Sequence, residues 1–461
     1  MSAMKRILPL LLATAFASSG VQAADLLSVY RDALGYDAQF GAARAERDAG
    51  LEKLPQARVG LKPQINLSAD TKWNDMSSRL RTSPEISLDG PAGIVLGPFI
   101  PQQSSTRYNT HSWMLTLAQP LFRWQNWATY KQGELASKVA EVQYTNAKQD
   151  LIERVTQAYF DVLLAQEDLK TAEAQKTAIA EQLAAAKRNF EVGVTTITDT
   201  HEAQARHDLV TASVIAADNA LQVKRHALRM LIGKEPDELK GLKSGVELAA
   251  PQPAELNPWV ESAERDNLNV QMTRLNLEIA DREIEKQKSG RYPTVDLTAS
   301  HGRTTSGTNS FLPALGGSVS DVTMVGLQLN IPIFDGGLTT SKSRESVALR
   351  EKARLDLENV RRISAQAARQ SYLGVTSGLA QVKALEQSVI SSQSALDSNK
   401  LGYEVGVRVN IDVLNAQQQL YSTRRDLAKA RLQTLTAQLK LKAVTGSLTE
   451  QDLAGVNGML E

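Results

Sequence analysis

Two periodicities divide this chain between them. In the first, apolar and polar residues alternate. Ile65, Leu67, Ala69, Thr71 and Trp73 fall on one face of an extended segment, and Gln64, Asn66, Ser68, Asp70 and Lys72 on the other. Trp113, Leu115 and Leu117 repeat the pattern, as do Val295, Leu297 and Ala299, and then Val325, Leu327, Leu329 and Ile331 against Gly326, Gln328 and Asn330. The alternation predicts four strands, at about 63–73, 111–121, 293–303 and 322–332. Each is about 9 to 11 residues long, the length of a tilted strand that crosses a bilayer. Alternation alone also fits a soluble antiparallel sheet with one buried face.

The second periodicity is helical. From Leu151 a seam runs through Val155, Ala158, Val162, Ala165, Leu169, Ala172, Lys176, Ile179, Leu183, Ala186 and Phe190 in alternating steps of four and three. A heptad pattern held this long predicts coiled-coil packing and a left-handed supercoil. An unbroken helix over about 124–190 would be roughly 100 Å long at ~1.5 Å per residue, more than a compact globular domain holds. A shorter helix is expected over about 199–232.

The same plan occurs twice. Phe190-Glu191-Val192-Gly193-Val194 returns 213 residues later as Tyr403-Glu404-Val405-Gly406-Val407, and the same offset carries Gln157-Ala158-Tyr159 onto Gln370-Ser371-Tyr372, Asp199 onto Asp412, Ala203-Gln204 onto Ala416-Gln417, and Gly233 onto Gly446. The seam moves with it, onto Ser364, Ala368, Ser371, Val375, Gly378, Val382, Leu385, Val389, Ser392, Leu396, Asn399 and Tyr403, with smaller side chains that let helices approach closely. Pro63 to Ala69 matches Pro293 to Ala299, and Pro120-Leu121-Phe122 matches Pro332-Ile333-Phe334. Two copies of so long a unit make a duplicated domain, not a solenoid. The first repeat is 24–233 and the second 258–446, the latter with its long helix at about 335–402 and its shorter one at about 410–445. A linker at 234–257 and a C-terminal segment at 447–461 complete the chain.

Met4-Lys5-Arg6, the apolar run Ile7 to Phe16 and the small-residue site Val21-Gln22-Ala23 form a secretory signal peptide, 1–23, with the mature chain starting near Ala24. No later segment is long and apolar enough for a spanning helix. Cysteine is absent, which removes disulfides, thiol chemistry and a lipidated cysteine after the leader. A formal net charge of +1 with 22% charged residues gives no footprint for nucleic acid. The five histidines, His111, His201, His207, His226 and His301, include no metal-spaced pair, so neither a metal site nor a cofactor is expected. Glycines form no phosphate-binding loop, and Gly336-Gly337 reads as a strand-to-helix turn. An enzyme is not expected.

Four strands cannot close a barrel, and an open sheet edge is not tolerated in lipid. Two or three protomers would have to contribute four strands each. Only twelve strands would leave a useful water-filled bore.

Over nearly the whole mature chain these residues resemble the TolC family of outer-membrane efflux and secretion proteins. The matching stretches are Leu26-Leu27-Ser28-Val29-Tyr30, Pro63-Gln64-Ile65-Asn66-Leu67, Ala158-Tyr159-Phe160, Phe190-Glu191-Val192-Gly193, Ile197-Thr198-Asp199, Tyr403-Glu404-Val405-Gly406, Asp412-Val413-Leu414 and Gly446 to Leu453. The resemblance implies a mainly α protein with membrane β structure. It would be a homotrimer with a 12-stranded transmembrane β-barrel, four strands per protomer, continuous with a helical tunnel in the periplasm. A collar would form from segments near Lys234 to Asn257 and the residues after Gly446. Implied partners are outer-membrane lipid, a periplasmic adaptor (membrane fusion) protein and an inner-membrane pump, either ABC-type or proton-driven. A periplasmic coiled-coil adaptor would share the leader and heptads but would not need four membrane-length strands. A secreted enzyme would need a catalytic constellation.

The resemblance also implies a gate. Carried over by position, closed-state contacts fall on Asp199 with Arg408 and on Thr198 with Tyr403, where helix pairs meet at the periplasmic end. Asp412 would form an acidic ring at the aperture. Such a ring would make the channel prefer cations and bind multivalent ones; Asn415 stands where TolC-type proteins have a second acid, which leaves one carboxylate per protomer and a weaker block than a double ring gives. Helix capping is a plainer role, compatible with gating: Asp199 followed by Glu202 has the form of a capping box, and Asn410 that of an N-cap. The hairpin loop Asn74 to Thr110, around Gly93, is expected outside the cell.

Overall fold

The computed structural model describes residues 24–81, 86, 87, 95, 96, 101–243, 245–308 and 316–461; the leader at 1–23 and Gly93 lie outside the described residues. The first half contains α1 (Leu26–Tyr36), α2 (Ala38–Leu51), α3 (Lys53–Val59), β1 (Gln64–Arg81), the two-residue strands β2 (Ile86–Ser87) and β3 (Val95–Leu96), β4 (Pro101–Phe122), α4 (Trp124–Glu191) and α5 (Ile197–Ile232). The second contains α6 (Leu256–Asp266), α7 (Leu268–Lys288), β5 (Thr294–Ser306), β6 (Ser318–Asn330), α8 (Leu338–Glu404), α9 (Asn410–Val444) and α10 (Glu450–Asn457). The duplication is visible in the lengths, 68 and 67 residues for α4 and α8, 36 and 35 for α5 and α9. Among the described residues no helix is long and apolar enough to cross a membrane.

The chain forms two compact units, and each draws on both repeats. The first is built on the sheet. Ala49–Val139 and Leu275–Leu355 hold an antiparallel four-stranded sheet in the order β1-β4-β5-β6. Register pairs Ile65 with Leu117, Leu117 with Ala299 and Ala299 with Val325, so the odd-numbered apolar residues of all four strands share one face. The opposite face carries Asn66, Thr116, Ser300 and their neighbours. Among the described residues nothing covers the apolar face: Leu67 is 70% exposed and Leu327 69%. Its boundary with polar residues runs obliquely, from Trp73 on β1 to Trp113 on β4 and Ala299 on β5, as when tilted strands cross a planar slab. Below the strands Trp124 and Tyr292 meet edge to face at 6.5 Å, and Trp127 is 46% exposed, an arrangement suited to a membrane interface.

β1 and β4 are longer than the alternation predicts. Asn74–Arg81 and Pro101–Thr110, expected in the hairpin loop, are paired strand, and the intervening connection is correspondingly shorter. The reason is chemical. Beyond Trp73 the ladder is held by polar cross-strand pairs, Asp75 with Arg107 at 2.9 Å and Asn74 with Thr110 at 2.9 Å, which leave no apolar alternation to read.

The second unit is helical and comprises the described residues through Asp48, Ala140–Arg274 and Asp356–Glu461. Its largest core joins Leu26, Val29, Tyr30 and Ala33 of α1 to Leu151, Ile152, Val155 and Tyr159 of α4, with Leu228, Leu435 and Leu453. The predicted seam is the buried side of α4: Leu151, Val155, Val162, Ile179 and Ala186 are at most 1% exposed, although Phe190, at the helix end, is 41% exposed. On α8, Gly378 lets α9 come close, since a Cβ there would lie 2.6 Å from the Thr434 hydroxyl oxygen. The segments at 234–243 and beyond Gly446 pack together: the Lys243 amide donates to the Met459 carbonyl (3.0 Å) and the Glu461 amide to Gly241 (3.0 Å). The chain start joins them, with the Ala24 amide donating to the Glu238 carbonyl at 2.7 Å. A fork from Arg154 onto Asp37 (2.9 and 3.0 Å) fixes α4 to the start of α2, and its hydrogen bonds hold the Asp37 carboxyl below the usual range.

Candidate functional site

The implicated residues gather where α4 turns into α5 and α8 into α9. Each turn passes through a glycine with positive φ, Gly193 at 77° and Gly406 at 82°, a conformation that a side chain would strain. The following helices start at Ile197 and Asn410, so Asp199 and Asp412 occupy the same third helical position. There their carboxylates complement the positive end of the helix.

This overturns the capping readings. The residue before α5 is Thr196 and the one before α9 is Val409, and neither makes a side-chain cap. Asp199 lies too far inside its helix to cap it, since Ile197 and Thr198 are already helical. The Asn410 side chain is 1% exposed and joins three helices: it accepts from the Gln182 amide of α4 (2.5 Å) and donates to the Asp199 carbonyl of α5 (3.4 Å). A buried amide satisfied in this way costs free energy to uncouple.

Around this bridge the two helix pairs interlock. Leu414 of α9, 1% exposed, packs among Ile179, Leu183, Ala186, Ala203 and Val210 of the first pair. The Tyr403 hydroxyl accepts from the Asn189 amide at 3.4 Å, and Thr198 is exposed. Arg408 lies 3.7 Å from Asp412, one turn ahead on the same chain. Among the described residues neither Asp199 with Arg408 nor Thr198 with Tyr403 forms a hydrogen bond or ion pair within the chain. Asn415 accepts from Arg206 of α5 at 2.9 Å, and the same guanidinium donates to Gln418 at 2.7 Å. Sequence reasoning passed over Arg206. Its one signal was the three-residue spacing of two amides, Asn415 and Gln418, on a helix more than 200 residues away. Arg408, Asp412 and Asn415 line one recess of about 520 Å³.

The family model described as "Outer membrane efflux protein" matches residues 29–234 and 259–447. The chain belongs to this family. Outer membrane protein TolC of Vibrio cholerae is 32% identical over 99% of both chains. The alkaline protease secretion protein AprF of Pseudomonas aeruginosa is 31% identical over 93% of this chain and 85% of its own. Among solved structures, the Vibrio cholerae outer membrane protein VceC superposes with a TM-score of 0.73 at 18% identity, over 91% of this chain and 96% of its own. An efflux family protein with this sheet and these helices has the TolC-like fold, and the four strands are its membrane part.

Proposed function

We propose that the chain is one protomer of a homotrimeric exit duct of the outer membrane, a passive channel that extends into the periplasm and serves type I secretion or efflux. The carrying observation is the open sheet. Its apolar face is bare, and β1 and β6 each have one edge without a partner among the described residues. Exposed strand edges are intolerable in lipid, and four strands are half of the smallest bacterial barrel. Three copies give twelve strands around a bore. On the helical side, exposed Leu209, Val223 and Met230 on α5 and Leu373, Ile390 and Leu401 on α8 are the apolar surfaces that a neighbouring copy would cover.

The duct acts by transport and not by catalysis. A periplasmic adaptor and an inner-membrane pump load it, and docking opens its periplasmic end. Asp199 with Arg408, and Thr198 with Tyr403, bridge neighbouring protomers in the closed state, and Asp412 rings the aperture. Support comes from family membership and from the assembly of these residues at the two helix turns. A periplasmic coiled-coil adaptor would have no use for an apolar sheet face.

Fractionation tests the reading. The protein is expected in the outer membrane as a detergent-extracted trimer that falls to a monomer on a gel only after heating. Recovery as a soluble periplasmic species would refute it.

A further inference from the structure

An acidic ring requires carboxylates without nearby cations, and the two helix turns do not provide that. Asp412 has Arg408 at 3.7 Å on its own chain. Arg206 donates to the neutral amides of Asn415 and Gln418, and among the described residues it has no carboxylate within ion-pair distance. Its two-pronged attachment holds the guanidinium in place. Asn415 follows Asp412 by three positions on α9, so the two side chains are neighbours on one helix face. Arg206, bonded to Asn415, thus stands beside the helix face that carries Asp412, at a range on the order of the screening length of about 8 Å.

We infer that Arg206 sets the charge selectivity of the entrance: its uncancelled cation, clamped over Asn415, offsets Asp412, so this duct passes cations and anions almost equally. The inference rests on the duct reading and adds a residue to it. In a threefold assembly three such cations surround the opening. One unit charge some 6 Å from an ion in water changes its local concentration by about threefold, and three act together. Multivalent cations, which an acidic ring would hold, are bound only weakly.

The test uses the full-length trimer in planar bilayers under a KCl gradient. Wild type is expected to show a K⁺ to Cl⁻ permeability ratio within about threefold of one, and Arg206→Gln a ratio about three- to tenfold higher, because glutamine keeps a hydrogen-bonding group but loses the charge. Arg206→Lys should restore the wild-type ratio, which a purely structural role would not predict. Asp412→Asn should move the ratio towards chloride. An unchanged ratio in conducting Arg206→Gln trimers, or strong cation preference in wild type, overturns the inference while leaving the duct intact. A wild type that inserts no channels at all sinks the duct reading and the inference with it.

Discussion

Arginine in place of Leu327 is expected to abolish trimer assembly in the outer membrane, whereas arginine at Gly326, one residue away, is tolerated. The two positions differ in face and hardly in depth. Leu327 pairs with Leu297 on the apolar side, and Gly326 with Thr298 on the polar side. An arginine on the lipid face near the bilayer midplane costs about 2–4 kcal/mol, and a threefold assembly carries it three times, roughly 6–12 kcal/mol in all. That is comparable with the whole stability of a domain. At Gly326 an added Cβ meets no atom within 4 Å, and the side chain would enter the water-filled bore. Outer-membrane yield and heat-modifiable mobility report the outcome; equal yields would mean that the apolar face is not the lipid face.

The second large effect concerns the gate. Asn410→Ala together with Tyr403→Phe is expected to raise single-channel conductance and to leave the trimer intact. The first change leaves the Gln182 amide without its acceptor and removes the second donor to the Asp199 carbonyl, and the second change removes the acceptor for Asn189. A buried polar group left unpaired costs about 1–3 kcal/mol, and about 1.4 kcal/mol is a tenfold shift in population. The closed arrangement should therefore lose at least roughly one power of ten relative to the open one. High salt should weaken Arg408 contacts between exposed groups but leave the neutral Asn410 bridge unaffected. Unaltered conductance in properly assembled double-mutant trimers would make these residues packing and nothing more.

What the sequence made legible follows from where apolar side chains lie. The seam from Leu151 to Ala186 and the apolar rows of the strands carry periodic signals, because burial, in protein or in lipid, selects residue type position by position. The outer ends of β1 and β4 do not: Asp75 with Arg107 supports a ladder in which both residues are polar. Asn410 was misread because an amide at a helix start suits a cap and a tertiary bridge equally well, and only the approach of Gln182 decides between them. The Arg206 fork and the pairing of Ala24 with Glu238 depend on partners about 210 residues away in sequence, and no local pattern encodes them. Arg408 shows the same limit in another form. Within the chain its ion pair is with Asp412, and the pairing with Asp199 that the resemblance implies is not formed.

The most direct test of the central claim uses the absence of native cysteine. A cysteine at Ser68 on the free edge of β1 is combined in turn with one at Ser320, Val322 or Met324 on β6, all on the polar face, and the membrane-embedded protein is oxidised. Three protomers that close a twelve-stranded barrel predict, for one of these combinations, a ladder of covalent dimers and trimers that stops at three chains. A ladder that stops at two chains, or disulfides confined to single chains, would contradict the trimeric duct.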